Sequence, residues 1–508
     1  MARRAGTLTA LALAFVTLAP VAVVMVQAGG RGLTAPDWAA LRFTLLQAAL
    51  SALASVGCAV PLARALARRR FAGRGALITA LGAPFLLPVI VAVLGLLAVF
   101  GRAGVVNATL RGLGLPEVSI FGLGGVVLAH VFLNMPLATR MLLQGWQAIP
   151  AERLRLAESL GFTPREVWRH LERPMLRAVL PGALLAVFAI CLTSFAVVLI
   201  LGGGPAATTV ELAIWQAIRF EFDLPRAATL AVMQVLACGG AVGLAGLVAR
   251  APGFGAGLDR LHPLPAPPGW RRGLDAAVLA LATLFLAAPL LAVLQRGLPG
   301  LLSLPASIWP AAAASALVAC LAAPLAVGGA LALALGRAQG VRWLEPVAML
   351  PMAGSQLVLG TGLFLIAFPL VTPARLSLPV TVLVTAVMSL PFAYRILAPA
   401  AQALVADYGR LAAALDLRGG AALRLLVLPR LRRPLGFALG LCAALAAGDL
   451  GVVALFATET GVTLPLAISR LMGAYRMDQA AGAALVLVAL AFGLFWIGDR
   501  WGRGGTEA

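Results

Sequence analysis

Asn134-Met-Pro136-Leu-Ala-Thr-Arg140 and Ser389-Leu-Pro391-Phe-Ala-Tyr-Arg395 are two copies of one pattern, 255 residues apart. The agreement continues downstream at the same offset. Arg155-Leu-Ala-Glu-Ser-Leu-Gly161 meets Arg410-Leu-Ala-Ala-Ala-Leu-Asp416, and Pro174 meets Pro429. In a chain of 508 residues that offset is about half the length, so the sequence reads as one unit repeated, residues 1–255 and 256–508. The segment from Arg250 to Arg272, rich in Gly, Pro and Arg, is the natural linker.

Composition says what kind of unit is repeated. The chain is 61% hydrophobic and 11% charged, with a mean hydropathy of +0.99. A soluble domain carries roughly 25% charged residues, so this chain has too few to coat a water-facing surface. A helix needs about 20 apolar residues to cross the hydrocarbon core. Twelve stretches qualify, near 8–28, 41–66, 76–101, 119–143, 175–201 and 225–249, then 274–295, 309–336, 344–370, 379–402, 434–457 and 480–498. Several contain proline, such as Pro84 and Pro88, which neighbouring helices tolerate in a membrane. The expected fold is an all-α polytopic membrane protein of two six-helix repeats. An even number of spans per repeat gives both the same orientation, so the repeats are parallel. Met1-Ala-Arg-Arg followed by an apolar run has the form of a signal peptide. The run is long enough to span, and it reads as a retained first helix.

The net charge of +20 comes from 39 basic residues, all arginine. They cluster in short loops between apolar runs, which marks them as topology determinants and not as a nucleic-acid surface. With both termini cytoplasmic, 29 arginines lie inside and 10 outside. The inner clusters are Arg64 to Arg70, Arg153 to Arg177, and Arg410 to Arg433. The five cysteines each sit in an apolar segment without ligand spacing, and no metal site is expected. His130 and His170 are assigned no chemistry. The polar residues within spans (Asn134, Ser194, Gln234, Gln356 and Ser389) are read as bonds between helices.

The loop between the fourth and fifth spans carries the functional signal. Pro150 suits a first helical position, Leu154, Ala157 and Leu160 line one face, and Gly161 can end the helix. Thr163-Pro-Arg-Glu166 then has the form of a capping box opening a second helix. Two such loops at equivalent places in the repeat argue for a shared mechanical task.

These loops resemble the cytoplasmic EAA loop of binding-protein-dependent ABC importer permeases: Glu-Ala-Ala, three residues, Gly, nine residues, Ile, one residue, Leu-Pro. The first copy supplies Arg155, Leu156, Ala157, Gly161, Leu171 and Pro174; the second supplies Arg410, Leu411, Ala412, Asp416, Leu426 and Pro429. Both lack the leading Glu, and the second lacks the Gly. The resemblance implies that each loop is a coupling helix docking on a separate cytoplasmic ABC ATPase dimer. It also implies a periplasmic substrate-binding protein outside and a bacterial inner membrane location. ATP would be used by the partner, and no cofactor is expected on this chain. The chain is expected to be non-catalytic; it contains no G-x-x-x-x-G-K-[ST] loop, which requires a lysine it lacks.

A narrower resemblance concerns the solute. The run from Leu201-Gly202-Gly203-Gly204-Pro205 to Glu211, Trp215 and Gln216, together with Gly448-Asp449-Leu-Gly451, is similar to thiamine (thiamine pyrophosphate) importer permeases. Fused permeases of ferric-iron importers share the architecture and are the alternative. Asp449, inside the eleventh span, is a candidate pathway residue that would attract a cationic thiazolium, or else a residue that caps a helix or pairs with an arginine between helices. Glu211 is a candidate contact for the binding protein, or a helix N-terminal acid. An ion-coupled secondary transporter is the rival from another class. It would not need paired cytoplasmic helices, and only Asp449 offers a clear coupling carboxylate.

Overall fold

The computed structural model describes residues 2–29, 32–82, 86–248, 269–369, 371–457 and 461–504. The boundary at residue 255, most of the linker and Pro84 lie outside the described residues. Every regular element among the described residues is helical. Eleven helices are long and apolar enough to cross a membrane, and a bent pair makes a twelfth. The protein is a multi-pass membrane protein.

The first half comprises α1 (Ala2–Ala28), α2 (Ala35–Arg68), α3 (Arg74–Ala80), α4 (Val89–Phe100), α5 (Val105–Gly112), α6 (Leu123–Gln147), α7 (Ala151–Ser159), α8 (Arg173–Leu192), α9 (Ala196–Leu201), α10 (Val210–Gln216) and α11 (Leu224–Val248). The second comprises α12 (Trp270–Gly300), α13 (Ile308–Ala338), α14 (Leu344–Met349), α15 (Gln356–Ala367), α16 (Ser377–Ala414), α17 (Leu428–Ala447), α18 (Gly451–Phe456), α19 (Leu464–Gly473) and α20 (Met477–Arg503). The correspondence reaches single hydrogen bonds. Thr44 on α2 accepts from the Val210 N–H at 2.9 Å, and Ser315 on α13 accepts from the Leu464 N–H at 2.8 Å. In both cases a hydroxyl on one helix satisfies the first free N–H of a short helix that has no intrahelical partner for it.

Sequence pattern foresaw neither the exchange of first helices nor the breaks within spans. Helix α1 packs on α13 and α15 of the other half, and α12 packs on α2 and α4. The close approach is made by glycine. A Cβ on Gly95 would stand 2.6 Å from the Pro289 carbonyl oxygen, and one on Gly362 would stand 2.4 Å from that of Pro20. Both first helices leave leucines such as Leu8, Leu11, Leu281 and Leu284 exposed, as a lipid-facing surface requires. The ninth expected span, 344–370, is bent by 87° between the helical segments Leu344–Ala353 and Gln356–Ala367. Pro351 lies just before the bend, and Ser355 starts the new helix by accepting from the Val358 N–H. The third expected span is interrupted at the equivalent place, between α3 and α4. The fifth and eleventh are each broken near mid-length, at residues 193–195 and 448–450.

Candidate functional site

Two sites matter: the paired loops that precede the fifth and eleventh spans, and a polar centre at the breaks in those spans.

In the first loop Pro150 is the N-cap of α7, one place before the expected position, and breaks the chain away from α6. Leu154 and Ala157 are buried against the bundle, while Leu156 and Leu160 are 58% and 62% exposed. The expected buried face is thus corrected at Leu160, which lies beyond the last helical residue, Ser159, and points outward. The helix ends as a Schellman motif: Phe162 N–H to Ala157 C=O, 2.9 Å, and Gly161 N–H to Glu158 C=O, 3.0 Å, with Gly161 at φ +66°. The capping box forms, with the Thr163 N–H donating to Glu166 at 2.7 Å and the Glu166 N–H donating to Thr163 at 3.4 Å.

The second loop reaches the same surface differently. There is no separate short helix; α16 runs unbroken from Ser377 through Ala414, because the counterpart of Pro150 is Val405. Its end repeats the motif, with Leu417 N–H to Ala412 C=O at 2.9 Å and Asp416 N–H to Ala413 C=O at 3.2 Å. Asp416 takes the left-handed conformation, φ +47°, that Gly161 takes in the first copy. Asp tolerates that region better than most residues do. The missing glycine therefore changes the residue and leaves the turn intact. Leu411 and Leu415 are 53% and 61% exposed, at the positions equivalent to Leu156 and Leu160. Arg155 and Arg410 are exposed beside these leucines; Leu171, Leu426 and Ala412 are half-buried; Pro174 and Pro429 are exposed.

Each loop leads into its span through a π turn, Trp168–Glu172 and Leu423–Val427, again 255 residues apart. Proline follows two residues later, at Pro174 and Pro429. It has no N–H to donate and its ring crowds the preceding turn, so a widened turn fits there. The first π turn holds a residue that sequence pattern missed. Glu172 is fully buried and bonded to Arg64 at 2.8 Å and Arg68 at 2.7 Å, both on α2.

At the centre, His130 bridges two hydroxyls, Nδ1 to Ser51 at 2.9 Å and Nε2 to Ser194 at 2.7 Å. The equivalents of His130 and Ser194 are Thr385 and Asp449. Thr385 donates to the Asp449 carboxylate at 3.0 Å. The other carboxylate oxygen accepts from the Gly451 N–H at 3.0 Å, so Asp449 caps α18. Carbonyls freed by the first-half break are also satisfied: Gln47 donates to Cys191 and Gln234 to Leu192. Glu211 is 1% exposed and accepts from Gln234 at 2.9 Å, with the Ser355 hydroxyl as a second partner. Its carboxyl therefore faces the bundle interior, between the halves. The halves meet here also where Trp215 donates to the Ala454 carbonyl at 3.2 Å and where Gly448 packs on Pro88.

Comparison with known proteins fits this architecture. Over 526 aligned residues the chain is 38% identical to the thiamine transport system permease protein ThiP of Brucella abortus (strain 2308), covering 98% of this chain and 95% of the relative. The chain belongs to the thiamine transport system permease family. The ThiP of Escherichia coli (strain K12) is 38% identical over 484 residues, 91% of this chain and 89% of the relative. A molybdenum transport system permease, ModB of Azotobacter vinelandii, is 30% identical over 178 residues, 35% of this chain and 78% of its own length. No family model matches. As a member of a permease family the chain is a transport subunit and not an enzyme.

Proposed function

We propose that this chain passes thiamine, or its pyrophosphate ester, across a bacterial inner membrane, with solute delivered by a periplasmic binding protein and work supplied by a separate cytoplasmic ABC ATPase dimer. Its two permease halves are residues 1–255 and 256–508, and both termini are cytoplasmic. The observation that carries the reading is the doubled loop, which presents the same pair of outward leucines (Leu156 and Leu160, Leu411 and Leu415) in a chain similar to thiamine permeases over nearly its whole length. Exposed leucines on a polar cytoplasmic surface cost solvation unless a partner covers them.

Mechanically, a partner gripping both loops pulls on α8 and α17 through the π turns. These helices end at the broken centre where the halves meet. Closure of the ATPase dimer then biases the packing of two halves between inward- and outward-open states. Asp449 supplies the candidate charge for a thiazolium cation when the break opens, and Glu211 ties the halves together beside it.

The test is ATP turnover in proteoliposomes holding this chain and its cognate ATPase, with binding protein added with or without thiamine. Stimulation that requires both binding protein and thiamine is the expected result. Stimulation only by a ferric-loaded binding protein would overturn the substrate, and no ATPase association would overturn the transporter class.

A further inference from the structure

The two cytoplasmic loops are built on one plan, yet the residues behind them differ in kind. In the first half the Glu172 carboxylate receives Arg64 (Nε 3.1 Å, Nη2 2.8 Å), Arg68 (2.7 Å) and the Trp146 indole N–H (3.4 Å), and no part of it reaches solvent. Next along α2, Arg69 pairs with Asp275 at 2.6 Å, and Asp275 is on α12, the first helix of the second half. A chain of charge therefore runs from the first loop, through the end of α2, to a helix of the opposite half.

The second-half loop has no acidic residue at the place equivalent to Glu172. At the 255-residue offset Glu172 corresponds to Val427, and Trp146 to Ala401. Val427 and Ala401 are buried, so an apolar pair stands where the first half has the carboxylate and its indole donor. A buried carboxylate is thus not required at this place in the repeat. Buried ion pairs are in general poor stabilisers compared with apolar packing, and their best-attested use is to fix one arrangement against another. A charged junction near the cytoplasmic surface can also exchange its partners for water as it opens, which an apolar one cannot.

We infer that Glu172 is a positioning residue that makes the two loops mechanically unequal. The first loop drives α2 and, through Arg69 and Asp275, α12 of the other half; the second loop moves as a rigid extension of α16. This inference rests on the proposal that the loops dock on an ATPase.

The test removes the charged set and places at 172 the valine that stands at 427: Arg64→Ala, Arg68→Ala and Glu172→Val together, in the full chain with its ATPase and binding protein. The triple variant is expected to fold, melt no lower than wild type and bind the ATPase equally well. Solute-stimulated ATP turnover and uptake fall at least tenfold, while basal turnover is kept. The corresponding apolar change on the other side, Val427→Ala, leaves stimulation within twofold. Wild-type stimulation in the triple variant would overturn the inference. So would failure to fold or to bind the ATPase, because the charges would then be architectural. A wild-type chain that binds no ATPase would instead remove the underlying reading, and this inference with it.

Discussion

Replacing Leu156 by alanine tests the coupling surface directly. Full burial of a leucine side chain contributes about 1.5–3 kcal/mol. Leu156 is 58% exposed, so covering it on docking recovers about 0.9–1.7 kcal/mol of that range. By that arithmetic Leu156→Ala weakens ATPase binding about five- to twentyfold. Leu411 is 53% exposed and lies in the other loop, so the two losses add and the double variant falls about 20- to 300-fold. Arginine at either position is worse, since a docked charge must then be desolvated. The assay is equilibrium binding of the ATPase to detergent-solubilised permease, with thermal unfolding as a control. Neither leucine supports the bundle core, so the melting temperature is expected to stay put. Unchanged affinity in the double variant, with full stimulated turnover, would refute the docking assignment.

Three further outcomes follow from particular contacts. At the end of α16, Asp416→Gly is expected to be neutral or slightly stabilising, whereas Asp416→Val destabilises by about 1–2 kcal/mol because a β-branched residue resists φ near +47°; thermal unfolding of the two variants decides it. Gly362→Ala forces a methyl to within 2.4 Å of the Pro20 carbonyl oxygen and should destabilise by about 1–3 kcal/mol, with Gly95→Ala matching it through Pro289; a stable Gly362→Ala protein would disprove the exchanged packing of α1. Removing the hydroxyl in Thr44→Val or Ser315→Ala orphans a buried N–H, at a cost of about 1–3 kcal/mol each. Similar losses in unfolding measurements would confirm that the two bonds are equivalent.

Much of the fold was legible because membrane spans and repeats are written in the most direct signals a sequence has. Twelve apolar runs and a constant offset gave the span number, and the Thr163–Glu166 box was readable residue by residue. Breaks within spans were harder. Hydropathy averages over about 19 residues, and a polar pair such as Gly448-Asp449 barely lowers that average while ending a helix. The bend at 87° was foreshadowed by Pro351, Gly354 and Ser355, yet proline alone does not distinguish a tolerated kink from a break, as Pro391 inside the continuous α16 shows. The exchange of α1 and α12 left no periodic trace, because which half a lipid-facing helix leans on is decided by glycine contacts far away in sequence.

The coupling loops show how residue identity and backbone shape come apart. Read by letters, the second copy departs from the pattern at Asp416 and at the leading Glu; read by hydrogen bonds, its helix ends with the same pair of bonds as the first. Conversely, Pro150 and Val405 occupy equivalent positions, and that single difference turns a hinged helix into an extension of its span. A proline ends α6 because it removes a donor and restricts the residue before it; without one, nothing at Val405 opposes continued helix. The first loop is therefore a separate helix set off at residues 148–150, while the second continues its span without a break. On the proposed docking, a partner pressing on both loops would act through a helix break on one side and a continuous helix on the other, and the ion pairs to α2 and α12 lie on the side with the break.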